Sequence, residues 1–288
     1  MDAQSAGQVA RTLDLIHGVS YFAPEANEAL LAAGLHPGGM CYFAGRSAAM
    51  GAVSGAVVAA TFYNFNPELV ARYIPAAWSL VDPEKVVAAR YRGVDAALRR
   101  VLGAEVLAST DLAEAADLAA TAARAIPAVD GRPLYAAHAD TPWPTDPHLV
   151  LWHALTLLRE YRGDGHIAVL QTVGLSGIEA LISHTATGVG FQEEFARTRR
   201  GWSEEQWAHA RGRLSARGLL DGSGELTAPG LALREHIEHV TDELAFAPWS
   251  VLGDGGCERL LEVGSAIRAR LFAEGVFPAG VFGPGVRG

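Results

Sequence analysis

Residues 203–244 constrain the fold more than any other stretch of the chain. Ser203 is a good N-cap, and Gln206 three residues on completes a capping box, so a helix starts there. Trp207, Ala210 and Leu214 recur at helical spacing and give that helix one apolar stripe. Gly218 falls just past its end, where a left-handed backbone is cheapest for glycine. The Gly-rich turn Asp221-Gly222-Ser223-Gly224 separates Gly218-Leu219-Leu220 from Glu225-Leu226-Thr227, and both flanks read as short strands. Thr227 then caps a second helix with Pro229 in its first turn. Leu233, Ile237, Val240 and Leu244 form the face it is expected to bury.

Helix, two short strands and helix is the back end of a winged helix. The segment WSEEQWAHARGRLSARGLLDGSGELTAPGLALREHIE resembles the recognition helix, wing and following helix of MarR-type regulators, a likeness that spans about residues 165–245. The segments YFAPE, YFAGR, FYNF and LLREYRGDGH carry a second likeness, over nearly the whole chain, to an actinobacterial helix-turn-helix family. The MarR likeness implies a homodimer associating through terminal helices, and a ligand-responsive regulator that binds DNA.

Charge argues the other way on DNA. A groove-reading helix is surrounded by positive charge. This one opens Ser203-Glu204-Glu205, and residues 160–245 hold eight Arg against thirteen Asp and Glu. Arg197, Arg199, Arg200, Arg211, Arg213 and Arg217 do cluster, and Arg211 and Arg213 are the DNA contacts under the regulator reading. The competing expectation is a solvated face ion-paired to Glu193, Glu194, Glu204 and Glu205, because a DNA footprint should be net basic.

The net charge of −9 points away from nucleic acid and anionic membranes as default partners. Cys41 and Cys257 are far apart without a CxxC, so they read as reduced thiols of a cytoplasmic protein. No apolar run is long enough to span a bilayer.

Residues 8–18, 24–33, 39–50, 54–65, 83–102 and 111–125 read as helices. Asn66-Pro67-Glu68, Asp82-Pro83-Glu84 and Asp146-Pro147 repeat one starting device, a capping side chain followed by proline at the first helical position. The fold expected is mainly α: a helical N-terminal domain (1–126) packed on a MarR-like winged-helix domain with a small two-stranded wing and flanking helices (148–273). Between them lies a Pro-rich connector (127–147), and a Gly/Pro-rich tail (274–288) is expected to pack loosely or fray.

Two constellations carry candidate chemistry. The first is Trp152-His153, Arg159-Glu160 and Arg162-Gly163-Asp164-Gly165-His166. Gly163 and Gly165 are expected to end a helix begun near residue 148, letting Asp164 cap the next helix with His166 in its first turn. His166 or His153 is then a general acid/base, Asp164 a partner, and Arg159 an anion clamp beside Trp152. The second is His17, Tyr21, Tyr42, Arg46, Tyr63 and Asn64. Arg46 is the only charge between Glu28 and Glu68, so it is expected to be buried and to need an acceptor. That acceptor is a protein carboxylate or carbonyl, or the anionic group of a ligand.

No metal site is expected, since His236 and His239 lack an HExxH or CxxC companion. No cofactor is expected from motif; haem on His17, His153 or His166 alone stays open. The function expected is a small-molecule binder or enzyme on a repurposed winged helix, with a MarR-like, ligand-responsive DNA-binding regulator as the alternative.

Overall fold

The computed structural model of the chain describes residues 1–278 and 280–282. These form a mainly α protein, with no strand among the described residues. The chain divides into two compact units. One comprises Met1–Val53, Tyr73–Gly165 and Asp242–Phe277, the other Ser54–Arg72, His166–Thr241 and Pro278–Gly288.

The first unit is a helical assembly. Pro24–Ala32 packs along Pro83–Leu107, Ala3–His17 along Gly253–Ala273, and Thr110–Arg124 against that same last helix. Small side chains allow this: Ala115, Ala116, Ala119, Ala120, Ala122 and Ala123 are all buried on Thr110–Arg124. The Pro-rich stretch is not a free tether. Pro133–Ala139 is a helix in which Leu134 and Tyr135 are buried.

The helix Pro147–Thr172 runs without a break through Arg162-Gly163-Asp164-Gly165-His166, which corrects the expected stop at those glycines. Two isolated glycines cost a helix roughly 1 kcal/mol each relative to alanine. Fully buried Leu151, Trp152 and Ala154 upstream, with Val169 and Leu170 downstream, outweigh that cost. Gly165 also makes room, because a Cβ there would lie 2.4 Å from the Arg132 guanidinium.

The second unit contains Gly55–Phe62, Pro67–Ala71, Gly177–Thr185, Glu193–Arg199, Glu204–Ala216 and the helix starting at Ala228. Gly177–Thr185 packs on Glu204–Ala216 around Leu181, Trp207, Ala210, Leu214 and Ile237. The capping box at Ser203 and Gln206 forms, and Gly218 takes φ 71° as the helix ends. Of the expected face on the last helix, Ile237 is fully buried, whereas Leu244 is exposed and falls outside the stripe.

The two-stranded wing is corrected. Leu220 and Leu226 make one isolated antiparallel bridge, flanked by Asp221 N–H to the Glu225 carbonyl (2.9 Å) and Thr227 N–H to the Leu219 carbonyl (3.1 Å). The Asp221 carboxylate accepts from the backbone N–H groups of Ser223, Gly224 and Glu225 at 2.8, 2.9 and 3.1 Å. An Asx turn of this kind spends donors that a longer ladder needs.

The tail is also corrected in part: Val276, Phe277 and Val281 are buried, and Phe282 stacks on Phe191. Its remaining residues, 279 and 283–288, lie outside the described ones.

Candidate functional site

The first unit gathers eight of the residues singled out from sequence: His17, Tyr21, Tyr42, Arg46, Trp152, His153, Arg159 and Asp164. Glu160 sits at the centre and is almost completely buried. Arg46 donates to it through Nη2 (3.0 Å) and Nε (3.4 Å), and Arg159 through Nη1 (2.7 Å). Arg159 also pairs with Asp14 at 2.6 Å. The acceptor that Arg46 requires is therefore a protein carboxylate. Burial pushes the Glu160 carboxyl up, but the two guanidinium groups hold it well below its usual range.

His17 is fully buried beside this group, at the end of Ala3–His17. Its Nδ1 lies 2.9 Å from the Thr156 hydroxyl. That hydroxyl already donates to the Trp152 carbonyl, so its oxygen accepts and His17 carries its proton on Nδ1. Nε2 is then an acceptor, facing the Tyr21 hydroxyl at 3.0 Å and Arg90 Nη2 at 3.5 Å. Burial, then Arg159 and Arg90, hold the imidazole well below its ordinary value, so it is neutral. The ring stacks on Trp152, and Tyr21 meets Tyr42 at 5.2 Å.

His153 points elsewhere. Its Nδ1 meets the Tyr91 hydroxyl at 2.5 Å and its ring edge meets Trp143, while its Nε2 has no hydrogen-bond partner. His138, on Pro133–Ala139, is buried with Nε2 likewise unpaired. Burial first and Arg90 second push His138 down to about 3 and His153 to about 4.

Asp164 is a cap, but not of the expected helix. Its Oδ2 accepts from the backbone N–H groups of Leu134 (3.0 Å) and Tyr135 (2.9 Å), closing the start of Pro133–Ala139. Because Pro147–Thr172 continues past Asp164, that helix offers it no free N–H groups. Burial raises its carboxyl to about 6 despite those two hydrogen bonds.

His166, Tyr63 and Asn64 belong to the second unit. Thr241 Oγ1 donates to the Ile237 carbonyl and accepts from His166 Nδ1 at 2.9 Å, so His166 too carries its proton on Nδ1. The carboxylates expected to serve it are engaged by Arg46 and Arg159 and by the Pro133–Ala139 helix. Tyr63 adopts φ 61° and donates its hydroxyl to the Leu175 carbonyl. The Asn64 carbonyl oxygen accepts from Trp202 Nε1 at 2.9 Å, while its side-chain Oδ1 is buried without a partner.

The basic cluster of the second unit is largely tied down. Arg197 pairs with Glu194 and Glu204, Arg211 with Glu193, and Arg213 with Glu179. Arg217 donates to the Val173 and Gly174 carbonyls, and Arg200 lies over Phe65 and Phe191. Glu204 and Glu205 stay exposed at the head of the helix. In the first unit, Asp95, Asp146 and His148 bring ligand-type atoms within 4.8 Å of one another, but Arg99 bridges both carboxylates at 2.8 and 3.0 Å.

Sequence reading missed Arg90, Tyr91, His138 and Thr156. Arg90 had a legible signal: it stands four residues from both Val86 and Val94, inside the apolar stripe of its helix, where an arginine has to be buried. His138 had none, because its surroundings come from distant segments.

A mainly α chain of two compact units, the first built around buried polar groups, is thus defined. It belongs to a helix-turn-helix family, whose sequence profile matches residues 6–278. No curated protein and no solved structure matches it. No single helix among the described residues is long and apolar enough to cross a membrane.

Proposed function

We propose that this chain binds a small polar metabolite in its first unit, on a scaffold shared with helix-turn-helix proteins. One observation carries the reading: His17, Tyr21, Arg46, Arg90, Arg159 and Glu160 converge in an apolar interior, with the imidazole held neutral. Taking that many polar and charged groups out of water is costly even where they pair with one another. The Tyr21 hydroxyl aimed at a neutral His17 Nε2 is an acid/base pair able to move a proton, which leaves room for turnover. His153 offers a second neutral imidazole in the same unit.

Membership of a helix-turn-helix family favours a second reading, a DNA-binding regulator; in its finer form it is MarR-like and ligand-responsive, with this cluster as the sensor and Arg211 and Arg213 touching DNA. Their pairing with Glu193 and Glu179 speaks against it. The test is native mass spectrometry of the purified protein with metabolites extracted after denaturation, run beside a salt titration of duplex DNA binding. A small molecule present in wild type and lost from Tyr21→Phe and Arg46→Ala is expected. Tight, salt-sensitive duplex binding with no bound metabolite overturns the proposal in favour of the regulator.

A further inference from the structure

Arg90 is the one cation of the buried cluster that no carboxylate offsets. It stands on Pro83–Leu107 with only 3 % of its surface exposed. No ion pair joins it to a carboxylate among the described residues, and its Nε has no hydrogen-bond partner. What it has is the face of Trp152 at 4.9 Å, Tyr21 at 5.9 Å, and the neutral His17 at 3.5 Å from Nη2. Removing a guanidinium from water without a counter-charge is strongly unfavourable, and aromatic faces recover only part of the loss.

Two more buried nitrogens lack partners in the same unit, His138 Nε2 and His153 Nε2. They are linked to Arg90 through one aromatic wall. Trp152, beneath Arg90, meets Tyr91 edge-on at 5.1 Å, and the Tyr91 hydroxyl holds His153 Nδ1 at 2.5 Å. A phenol donates a proton far better than it accepts one, and burial pushes Tyr91 up to about 12, so its O–H donates to Nδ1. His153 then carries its proton on Nε2, an N–H aimed at nothing in the protein. Arg90 is also the charge that most depresses both imidazoles, which places all three groups in one electrostatic neighbourhood.

We propose that Arg90, His138 and His153 form the anchoring end of a binding site for an aromatic carboxylate. The Arg90 Nε edge and the His153 N–H hold the carboxylate, and the joined wall of Trp152 and Tyr91 lies along one side of the ring. An oxyanion supplies the missing counter-charge and the missing acceptor at once. A monoanion suffices, because Arg46 and Arg159 already share Glu160. The two histidines contribute hydrogen bonds rather than charge. This deepens, and rests on, the small-molecule reading above.

The test is a set of titrations of the full chain with sodium benzoate, sodium acetate and inorganic phosphate, followed by thermal denaturation and calorimetry. Benzoate is expected to raise the melting temperature saturably, acetate more weakly, and phosphate not at all. Arg90→Gln is expected to weaken benzoate at least about tenfold, the worth of one charge-assisted hydrogen bond. Should Arg90→Gln fail to fold, His153→Gln keeps the question open to measurement, with a loss of about tenfold expected from one hydrogen bond to a carboxylate. Wild-type affinity should stay flat from about pH 7 to 9, above the range in which the two imidazoles and the Asp164 carboxyl titrate; tightening on acidification across that window overturns it. Failure of every carboxylate to stabilise wild type, or phosphate binding in place of benzoate, also overturns it. A co-purifying metabolite lost from Tyr21→Phe but retained by Arg90→Gln sinks this assignment and leaves the broader small-molecule reading standing.

Discussion

His17 and Thr156 fix each other's protons: 2.9 Å separates imidazole Nδ1 from a hydroxyl whose own hydrogen is committed to the Trp152 carbonyl. A helix-interior threonine that back-bonds to its own helix becomes a pure acceptor towards its neighbours. Thr241 does the same for His166. Thr156→Val keeps the shape and removes the acceptor from a site with no solvent. It should cost about 1–3 kcal/mol in chemical denaturation, the penalty for an unsatisfied buried donor. Thr156→Ser should restore most of that, and nitrogen shifts in NMR should report a protonated His17 Nδ1 in wild type and in Thr156→Ser but not in Thr156→Val.

Glu160 is the shared counter-charge of Arg46 and Arg159, and Glu160→Gln removes it from both while leaving Arg159 its pair with Asp14. The expected loss is about 3–5 kcal/mol, as for breaking a buried ion pair from one side. Replacing Arg46 and Glu160 together by methionine should be milder than Glu160→Gln alone. Equal losses in the two variants, measured by urea unfolding, would show that the charges do not interact.

Stability should depend on pH in two opposed ways. His138 and His153 fold with values near 3 and 4, below the 6.5 of a free imidazole. The unfolded chain therefore binds protons first, and their stabilisation, fully present above about 6.5, is lost as pH falls through the folded values. Asp164 has the reverse sign: its folded value near 6 exceeds 3.8, so its contribution is present below 3.8 and lost as pH rises through 6. Unfolding free energy should rise between pH 4 and 6, less steeply than the histidines alone dictate. Asp164→Asn should steepen that rise, and His153→Gln should flatten it by about 1.4 kcal/mol per pH unit.

Much of this was readable in the residues, and the boundary has a physical cause. Signals confined to one helical turn survived: the Ser203 capping box, the prolines at 67, 83 and 147, and the left-handed Gly218. So did the inference that Arg46 needs an acceptor, because it used only the apolarity of its neighbours, although the side chain is half-buried rather than fully enclosed. Competition between local and distant forces was not readable. Gly163 and Gly165 look like a stop but lie within a helix stabilised by packing, and Asp164 caps a helix that sequence proximity could not nominate. The wing failed for a local reason, since Asp221 captured the N–H groups of its own turn.

Gly7 should tolerate no side chain. A Cβ there would lie 2.2 Å from the Asp242 carboxylate, which is buried and holds Arg11 and Arg162. Gly7→Ala should destabilise by about 1–3 kcal/mol through overpacking. Combining it with Asp242→Ala should cost less than the sum of the two single changes; strict additivity in a double-mutant cycle would sink the idea of direct contact.

Asp164 secures the first turn of a helix that starts thirty residues earlier in the chain, and that same short helix carries His138. The imidazole's position is thus moored by an anion sitting five residues beyond Arg159, not by anything adjacent in sequence. With its carboxyl near 6, that mooring gains or sheds its negative charge within a modest acidification, and the strength of its grip on two backbone N–H groups changes with it.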